Sequence, residues 1–281
     1  MKKILKWTGF VVAGLGVVVM VATAYVFISS TSEMDHRFVV DRVTPPAIPT
    51  AAAEIAEGER LAHLTGCMHC HGDDLSGASP LDIPNVARFV APNVTHSMRH
   101  YDDAQFTALM RKGVKPDGRG VYFMPSEMFR HLADDDLARI IAFVRSVPQT
   151  HGISEKTEFR PLGRMIVAKG DFKSAAREIE QLPPASTSFD AANPVSHGRY
   201  LVMNFCSECH GQDLEGRPVA HSPSLAVAKA YSLQQFSRLM HDGVGTGERT
   251  FELMTPTSKA RFSHLRRDEI SAMHAYLQSR G

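Results

Sequence analysis

The sequence predicts an all-α protein in which two tandem copies of one small helical domain follow a single N-terminal transmembrane helix. Three observations support this fold class. A charge-free segment of 20 residues lies near the N-terminus, the pattern C-x-x-C-H occurs twice, and the residues around both patterns repeat along the chain. The chain of 281 residues is long enough for about two domains of ordinary size.

The charge-free segment, residues 9–28, has the length of a transmembrane helix, which needs about 20 apolar residues. Lys2, Lys3 and Lys6 precede it, and no lysine or arginine follows closely. This asymmetry predicts a single-pass protein of the cell inner membrane with the rest of the chain on the periplasmic side. A cleaved signal peptide is the alternative, because Ala22-Thr23-Ala24 resembles a cleavage site, although the apolar run continues beyond it.

The two C-x-x-C-H motifs are Cys67-Met68-His69-Cys70-His71 and Cys206-Ser207-Glu208-Cys209-His210. Two thiols at this spacing can form thioethers with the vinyl groups of haem, and the following histidine can then bind the iron. The motifs use all 4 cysteines of the chain. They therefore predict two covalently bound haem c groups, attached through the two cysteine pairs, with His71 and His210 as proximal metal ligands.

Two other kinds of cysteine site have this spacing. A thioredoxin-like redox disulfide needs a βαβ context, and neither motif lies in one. A four-thiolate zinc site would have to join pairs much further apart in the chain than zinc ligands usually are. Neither alternative explains why a histidine follows the second cysteine in both motifs.

The chain repeats around these motifs at three successive offsets. Residues 67–77 match 206–216 at an offset of 139, residues 101–114 match 231–244 at 130, and residues 129–132 match 262–265 at 133. Arg60 and Arg199, which are expected to meet haem propionates or to cap a helix, also correspond at 139. The expected organisation is a cytoplasmic start and anchor (1–28), a Pro-rich tether (29–50), domain 1 (51–148), a connector (149–190) and domain 2 (191–281).

Each domain has helical periodicity and no sustained strand alternation. Residues 51–65 are rich in helix-forming residues, and residues 101–112 have Phe106, Leu109 and Met110 at helical spacing. A closing helix has an acidic first turn, followed at helical spacing by Leu137, Ile140, Ile141 and Val144. The connector is expected to form short helices over 162–168 and 175–182, and to pack between the domains.

Met124 and Met254 are the expected distal metal ligands. Each lies in a loop before the closing helix of its domain, close to a proline, and the two correspond at an offset of 130. Other corresponding pairs are less suitable. Met110 and Met240 share a helical face with core residues, while His131 and His264 are expected at the surface or as helix caps.

The ring N–H of each proximal histidine needs an acceptor that fixes its orientation. The carbonyl groups of Pro84 and Pro223, each thirteen residues after its histidine, are the candidates. The alternative is that these prolines only stiffen a loop.

These motifs resemble the class I cytochrome c family, in a membrane-anchored form with two haems. The resemblance rests on the two C-x-x-C-H motifs with Met124-Pro125 and Met254, and covers about two thirds of the chain. The stretch 91–95 and the residues from Gly113 to Arg119 are also similar to cytochrome subunits of membrane-bound quinone-reducing dehydrogenases, which usually carry three haem motifs. The resemblance implies low-spin His/Met haem and electron transfer, with no catalytic residues.

The predicted function is transfer of single electrons from a membrane or periplasmic dehydrogenase to a respiratory acceptor such as a cytochrome or an oxidase. The N-terminal helix would hold the carrier near these partners. The net charge of +1 gives no indication of nucleic-acid binding. The alternative function is a dihaem oxidoreductase or peroxidase, which requires one haem with an open distal site; a haem-based gas sensor is less favoured because no output domain is evident.

Overall fold

The computed structural model describes residues 2–153, 155–218 and 221–280, without the side chains of residues 2–5. The side chains of Lys2 and Lys3, on which part of the orientation prediction rests, lie outside the described residues. The described chain is mostly helical, as predicted. Its helices are α1 (Lys2–Met34), α2 (Ala52–Leu64), α3 (Cys67–His71), α4 (Val94–Ser97), α5 (Asp103–Lys112), α6 (Ser126–Phe129), α7 (Asp134–Ser146), α8 (Pro161–Lys169), α9 (Ala175–Ile179), α10 (Pro194–Phe205), α11 (Ser207–His210), α12 (Leu233–Asp242), α13 (Met254–Ala260) and α14 (Arg267–Ser279). Short 3-10 helices cover Leu225–Ala230, Thr246–Glu248 and Phe262–His264.

Helix α1 is long and apolar enough over Lys6–Met34 to span a membrane. Its large apolar side chains are exposed, with Phe10 at 74%. Apolar surface of this extent needs an apolar environment to cover it, and a bilayer provides one.

The last turns of α1 are fixed against α8 and α9 of the connector. Arg164 donates hydrogen bonds to the hydroxyl groups of Ser30 at 3.1 Å and Thr31 at 3.0 Å. Arg177 forms an ion pair with Glu33 at 3.2 Å. The expected tether therefore begins as helix, and its extended part starts only after Met34.

The connector forms the two expected helices, α8 and α9. However, α8 packs against α1, and α9 packs against α5 and α6. Helices α8 and α9 thus cover the first repeat and the end of α1, and do not lie between the repeats as expected. The last residues of the connector do contact both repeats, because Pro183 accepts a hydrogen bond from Arg130 and Phe189 stacks on Tyr200 at 4.2 Å.

In each repeat the first helix crosses the closing helix at a glycine. A Cβ added to Gly58 on α2 would lie 2.0 Å from the carbonyl oxygen of Arg139 on α7, and one added to Gly198 on α10 would lie 1.9 Å from that of Ala272 on α14. Only glycine permits backbones to approach this closely. Because Gly58 matches Gly198, Arg60 corresponds to Tyr200, and its expected correspondence with Arg199 is displaced by one residue.

We expect Gly58→Ala and Gly198→Ala each to lower the free energy of unfolding by about 1–3 kcal/mol, because the added methyl group forces two packed helices apart. Urea unfolding followed by helical circular dichroism measures the change. Ala56→Ser, at an exposed position of α2, is the control and should change stability by less than about 0.5 kcal/mol. Wild-type stability in both glycine variants would contradict this crossing geometry.

A small antiparallel sheet departs from the all-α prediction. Strands β1 (Ala78–Ile83), β2 (Ala87–Ala91) and β3 (Glu158–Phe159) pair in the order β1-β2-β3. The strands are short, and β3 comes from the connector, so the stabilising pairing is not local in sequence. The hairpin lies in the first repeat, where 15 positions separate Gly77 from Pro92, against 7 between Gly216 and Pro223 in the second repeat.

The two repeats contact each other through equivalent surfaces. Arg60 on α2 forms an ion pair with Glu269 on α14 at 2.8 Å, and Tyr200 on α10 donates a hydrogen bond to Asp136 on α7 at 2.5 Å. Arg60 matches Tyr200, and Asp136 matches Glu269 at the offset of 133. These reciprocal contacts give the interface an approximate two-fold symmetry. A continuous hydrophobic core extends across both repeats.

Candidate functional site

The backbone directly after the two C-x-x-C-H motifs has the same conformation. Gly72 and Gly211, directly after the histidines, have φ of 82° and 83°. Three residues later, Leu75 and Leu214 also have positive φ, of 57° and 65°, and both side chains are buried. A leucine in this region is strained, so its burial in the core must offset the cost. From the histidine onward, the motifs are therefore equivalent in structure as well as in sequence.

Each motif histidine is oriented by a backbone carbonyl group. Nδ1 of His71 lies 2.8 Å from the oxygen of Pro92, and Nδ1 of His210 lies 2.8 Å from that of Pro223. Pro223 is the expected acceptor. In the first repeat the acceptor is Pro92 and the expectation for Pro84 was wrong, because the hairpin inserts eight residues between the motif and this loop.

A carbonyl oxygen can only accept a hydrogen bond, so the network assigns the ring proton of both histidines to Nδ1. Nε2 then keeps the lone pair that binds a metal. Burial lowers the pKa of both His71 and His210. The neutral imidazole that a metal requires is thus the favoured form.

The four thiols are not paired with one another. Burial raises the pKa of Cys70 and of Cys206 to about 12. A redox-active dithiol needs a lowered pKa, so this environment does not suit thioredoxin-like chemistry. Among the described residues, no three His, Cys, Asp or Glu side chains are grouped to hold a metal ion, which disfavours a shared zinc site. The donor set of two thiols and one oriented imidazole fits covalent haem in both motifs.

The structure places Met124 and Met254 in equivalent settings. Met124 lies directly before Pro125 and α6, and Met254 begins α13. Both side chains are partly buried against the hydrophobic core. Met110 and Met240 are core residues, exposed by 1% and 3%, as expected. Ligation by Met124 and Met254 stays a prediction.

His131 and His264, which occupy corresponding positions in the two repeats, both lie at the interface between the repeats. His131 is 5% exposed, and its Nε2 lies 2.9 Å from the side-chain oxygen of Gln212, two residues after the second motif. The ring of His264 stacks on that of His63 at 4.2 Å. The expected surface position of His131 was wrong, because packing of the second repeat covers it.

An ion pair that the sequence did not indicate lies between the two motifs. Arg261, directly after α13, is paired with Glu208 of the second motif at 2.7 Å. The same arginine donates a hydrogen bond to the carbonyl oxygen of Leu64, three residues before the first motif, at 3.1 Å. A contact between residues 197 positions apart has no local signal in the sequence.

Glu127 on α6 is a second buried charged group at the interface. Burial raises its pKa to about 7, and the guanidinium of Arg217, at 3.9 Å, is too distant to offset this effect fully. The carboxyl group therefore changes its protonation state near neutral pH.

We expect the free energy of unfolding to fall as the pH rises from about 5 to 8, by up to about 3 kcal/mol. The pKa of Glu127 is higher in the folded protein than in the unfolded chain, so protonation of its carboxyl group stabilises the fold. This stabilisation is complete below the pKa of an unfolded glutamate and is lost as the pH rises through about 7. Thermal unfolding of Glu127→Gln should lack this part of the pH dependence. Glu59→Gln, at an exposed position of α2, should keep the wild-type profile, and an unchanged profile in Glu127→Gln would contradict the assignment.

Comparison with known proteins relates both repeats to a single family. The Cytochrome c family model matches residues 55–148 and 195–281. The chain is 31% identical over 183 residues to the fructose dehydrogenase cytochrome subunit of Gluconobacter japonicus, covering 59% of this chain and 37% of the relative. It is 30% identical over 177 residues to the cytochrome c subunit of alcohol dehydrogenase (quinone) of Gluconobacter oxydans, covering 56% of this chain and 35% of the relative.

A third relative matches a longer part of the chain. The gluconate 2-dehydrogenase cytochrome c subunit of Pantoea cypripedii is 24% identical over 271 residues, which cover 82% of this chain and 60% of the relative. The matched region thus spans little more than a third of the first two relatives.

Proposed function

This chain belongs to the cytochrome c family, and we propose that it is a membrane-tethered electron carrier with two covalently bound haem c groups. Its two repeats would be tandem class I domains behind one transmembrane helix. The carrier would accept single electrons from a dehydrogenase and pass them to a respiratory cytochrome or oxidase. The relatives support this proposal because their names identify them as cytochrome subunits of dehydrogenases.

Each haem would be held by two cysteines, one histidine and one methionine. Cys67 and Cys70 would form the thioethers of the first site, His71 would bind the iron through Nε2, and Met124 would be its second protein ligand. Cys206, Cys209, His210 and Met254 would do the same in the second site. When bound, haem supplies reversible one-electron chemistry. The protein orients the imidazoles through Pro92 and Pro223 and excludes water through its buried core.

The position of α1 supports a location at the cell inner membrane. The helix is apolar enough to span a bilayer, and Lys6 at its start, with Lys2 and Lys3 before it in the sequence, favours a cytoplasmic N-terminus. Both repeats would then lie on the periplasmic side. Because Arg164 and Arg177 attach the end of α1 to the connector, the first repeat would keep a defined orientation to the membrane.

The observation that carries the proposal is the repeated histidine geometry. Two C-x-x-C-H motifs each have Nδ1 of the histidine 2.8 Å from a proline carbonyl oxygen, and the backbone after each motif has the same conformation. A redox disulfide would not require an oriented histidine in both repeats. A zinc site would require at least three grouped ligands, which the described residues do not provide.

Protein matured in a host that attaches haem c should give a pyridine haemochrome corresponding to two haems per chain. The reduced protein should bind little carbon monoxide, because a distal ligand on each iron leaves no open position. Absorption spectra with and without carbon monoxide test this. A protein without covalent haem would refute the proposal, and tight carbon monoxide binding at one haem would favour the dihaem oxidoreductase or peroxidase.

A further inference from the structure

The guanidinium of Arg261 is held between the two cofactor motifs. Its Nε donates to the carbonyl oxygen of Leu64 at 3.1 Å, and a terminal nitrogen donates to the carboxylate of Glu208 at 2.7 Å. The arginine is 5% exposed. Leu64 belongs to the helix that leads into the first motif, and Glu208 is inside the second motif, so one side chain contacts both.

The first motif is shaped to accept this arginine. Gly66, directly before Cys67, has φ of 82°, and a Cβ added there would lie 3.0 Å from Cζ of Arg261. The guanidinium therefore packs against the backbone that begins the first motif. Its other terminal nitrogen is buried and has no hydrogen-bond partner among the described residues, so its charge is incompletely neutralised.

The pair lies beside both motifs. The guanidinium of Arg261 packs against Gly66, directly before Cys67, and its partner Glu208 lies between Cys206 and Cys209. Because Arg261 is buried, its electrostatic interactions are weakly screened by solvent. A charge from the second repeat therefore acts on the first.

We propose that the charges of the Arg261–Glu208 ion pair set the reduction potentials of both haem sites together. The proposal rests on the proposed function. Each site takes one electron from a donor protein and later releases it to an acceptor, so its net charge falls by one on reduction. A nearby positive charge stabilises the reduced state and a negative charge destabilises it.

The consequence is that the two potentials are coupled through one structural feature. A change in the pair moves both sites in the same direction and leaves the driving force for electron exchange between the repeats nearly constant. Local residues such as Met124 and Met254 would set the difference between the two reduction potentials. The Arg261–Glu208 pair would set their average.

Spectroelectrochemical titration of the full-length protein in detergent tests this inference with Arg261→Gln, Glu208→Gln and the double variant. In Arg261→Gln both potentials should fall, and in Glu208→Gln both should rise, each by a three- to tenfold change in the reduction equilibrium; tenfold is about 59 mV for one electron. The double variant should lie between the two. Arg238→Gln, which removes an exposed arginine paired with Glu248 at the surface, should leave both potentials unchanged because solvent screens its charge.

Potential shifts of opposite sign in Arg261→Gln and Glu208→Gln would identify the effect of charge. A general loosening of the fold would shift the potentials of both variants in the same direction. If Arg261→Gln does not fold, Glu208→Gln alone still requires a rise, and its carboxylate is partly exposed, at 29%. Two haems per chain with unmoved potentials, or with shifts of the same sign, would overturn the inference and leave the proposed function intact. Fewer than two covalent haems in the wild-type protein would instead refute the proposed function.

Discussion

Replacement of both thiols of the first motif, in Cys67→Ala/Cys70→Ala, is expected to halve the covalently bound haem of this protein. Thioether attachment needs both cysteines at this spacing, and the second motif has its own pair. The first repeat should also lose stability, because haem would supply much of the apolar core of a domain of fewer than about 100 residues. Haem-stained gels and a pyridine haemochrome of the denatured protein measure the attached haem.

Two further variants complete the experiment. His69→Ala changes an exposed residue inside the same motif and should retain both haems. Cys206→Ala/Cys209→Ala should leave one haem, on the other repeat. Two covalent haems remaining in either double-cysteine variant would contradict the assignment of the motifs.

Replacement of the two loop methionines is expected to abolish the far-red charge-transfer band of the oxidised protein. This band reports bonding between sulfur and iron, so Met124→Ala should remove about half of its intensity if each haem has one methionine ligand. Met124→Ala/Met254→Ala should lack the band, and carbon monoxide should bind the reduced double variant at both sites. Because thioether ligation raises the potential, the affected haems should also be harder to reduce.

Met110→Leu is the matched control. Met110 is a methionine of the same repeat that is 1% exposed in the core, so its replacement should leave the band unchanged. Survival of the band in the Met124→Ala/Met254→Ala variant would exclude these residues as the ligands. His131 and His264 would not replace them readily, since both are engaged across the interface.

The helical parts of the fold were predictable because their signals are local. Helix α7 begins with the predicted acidic turn at Asp134 and buries Leu137, Ile140 and Ile141 on one face. The connector helices α8 and α9 also lie where the sequence indicated. Helical periodicity and end signals act between residues within a few turns of each other, so a single segment carries them.

The errors arose where distant segments pair. The hairpin of β1 and β2 is completed by β3 from the connector, and this insertion makes Pro92, in place of Pro84, the acceptor for His71. The prediction that the acceptor proline lies thirteen residues after the histidine was correct in the second repeat, where Pro223 accepts the hydrogen bond from His210. Loop length alone could not show which proline would reach the ring.

The sequence by itself determined the two cysteine–histidine motifs and their repetition. Cysteine spacing and the adjacent histidine are properties of five consecutive residues, and the two copies, together with the apolar N-terminal helix, follow from the order of residues alone. Tertiary structure decided which surfaces meet. It buried His131, paired Arg60 with Glu269, and placed Arg261 between the motifs. The physical reason is that these contacts join residues far apart in sequence, whose proximity depends on how the two repeats pack as whole units and not on any local preference of the chain.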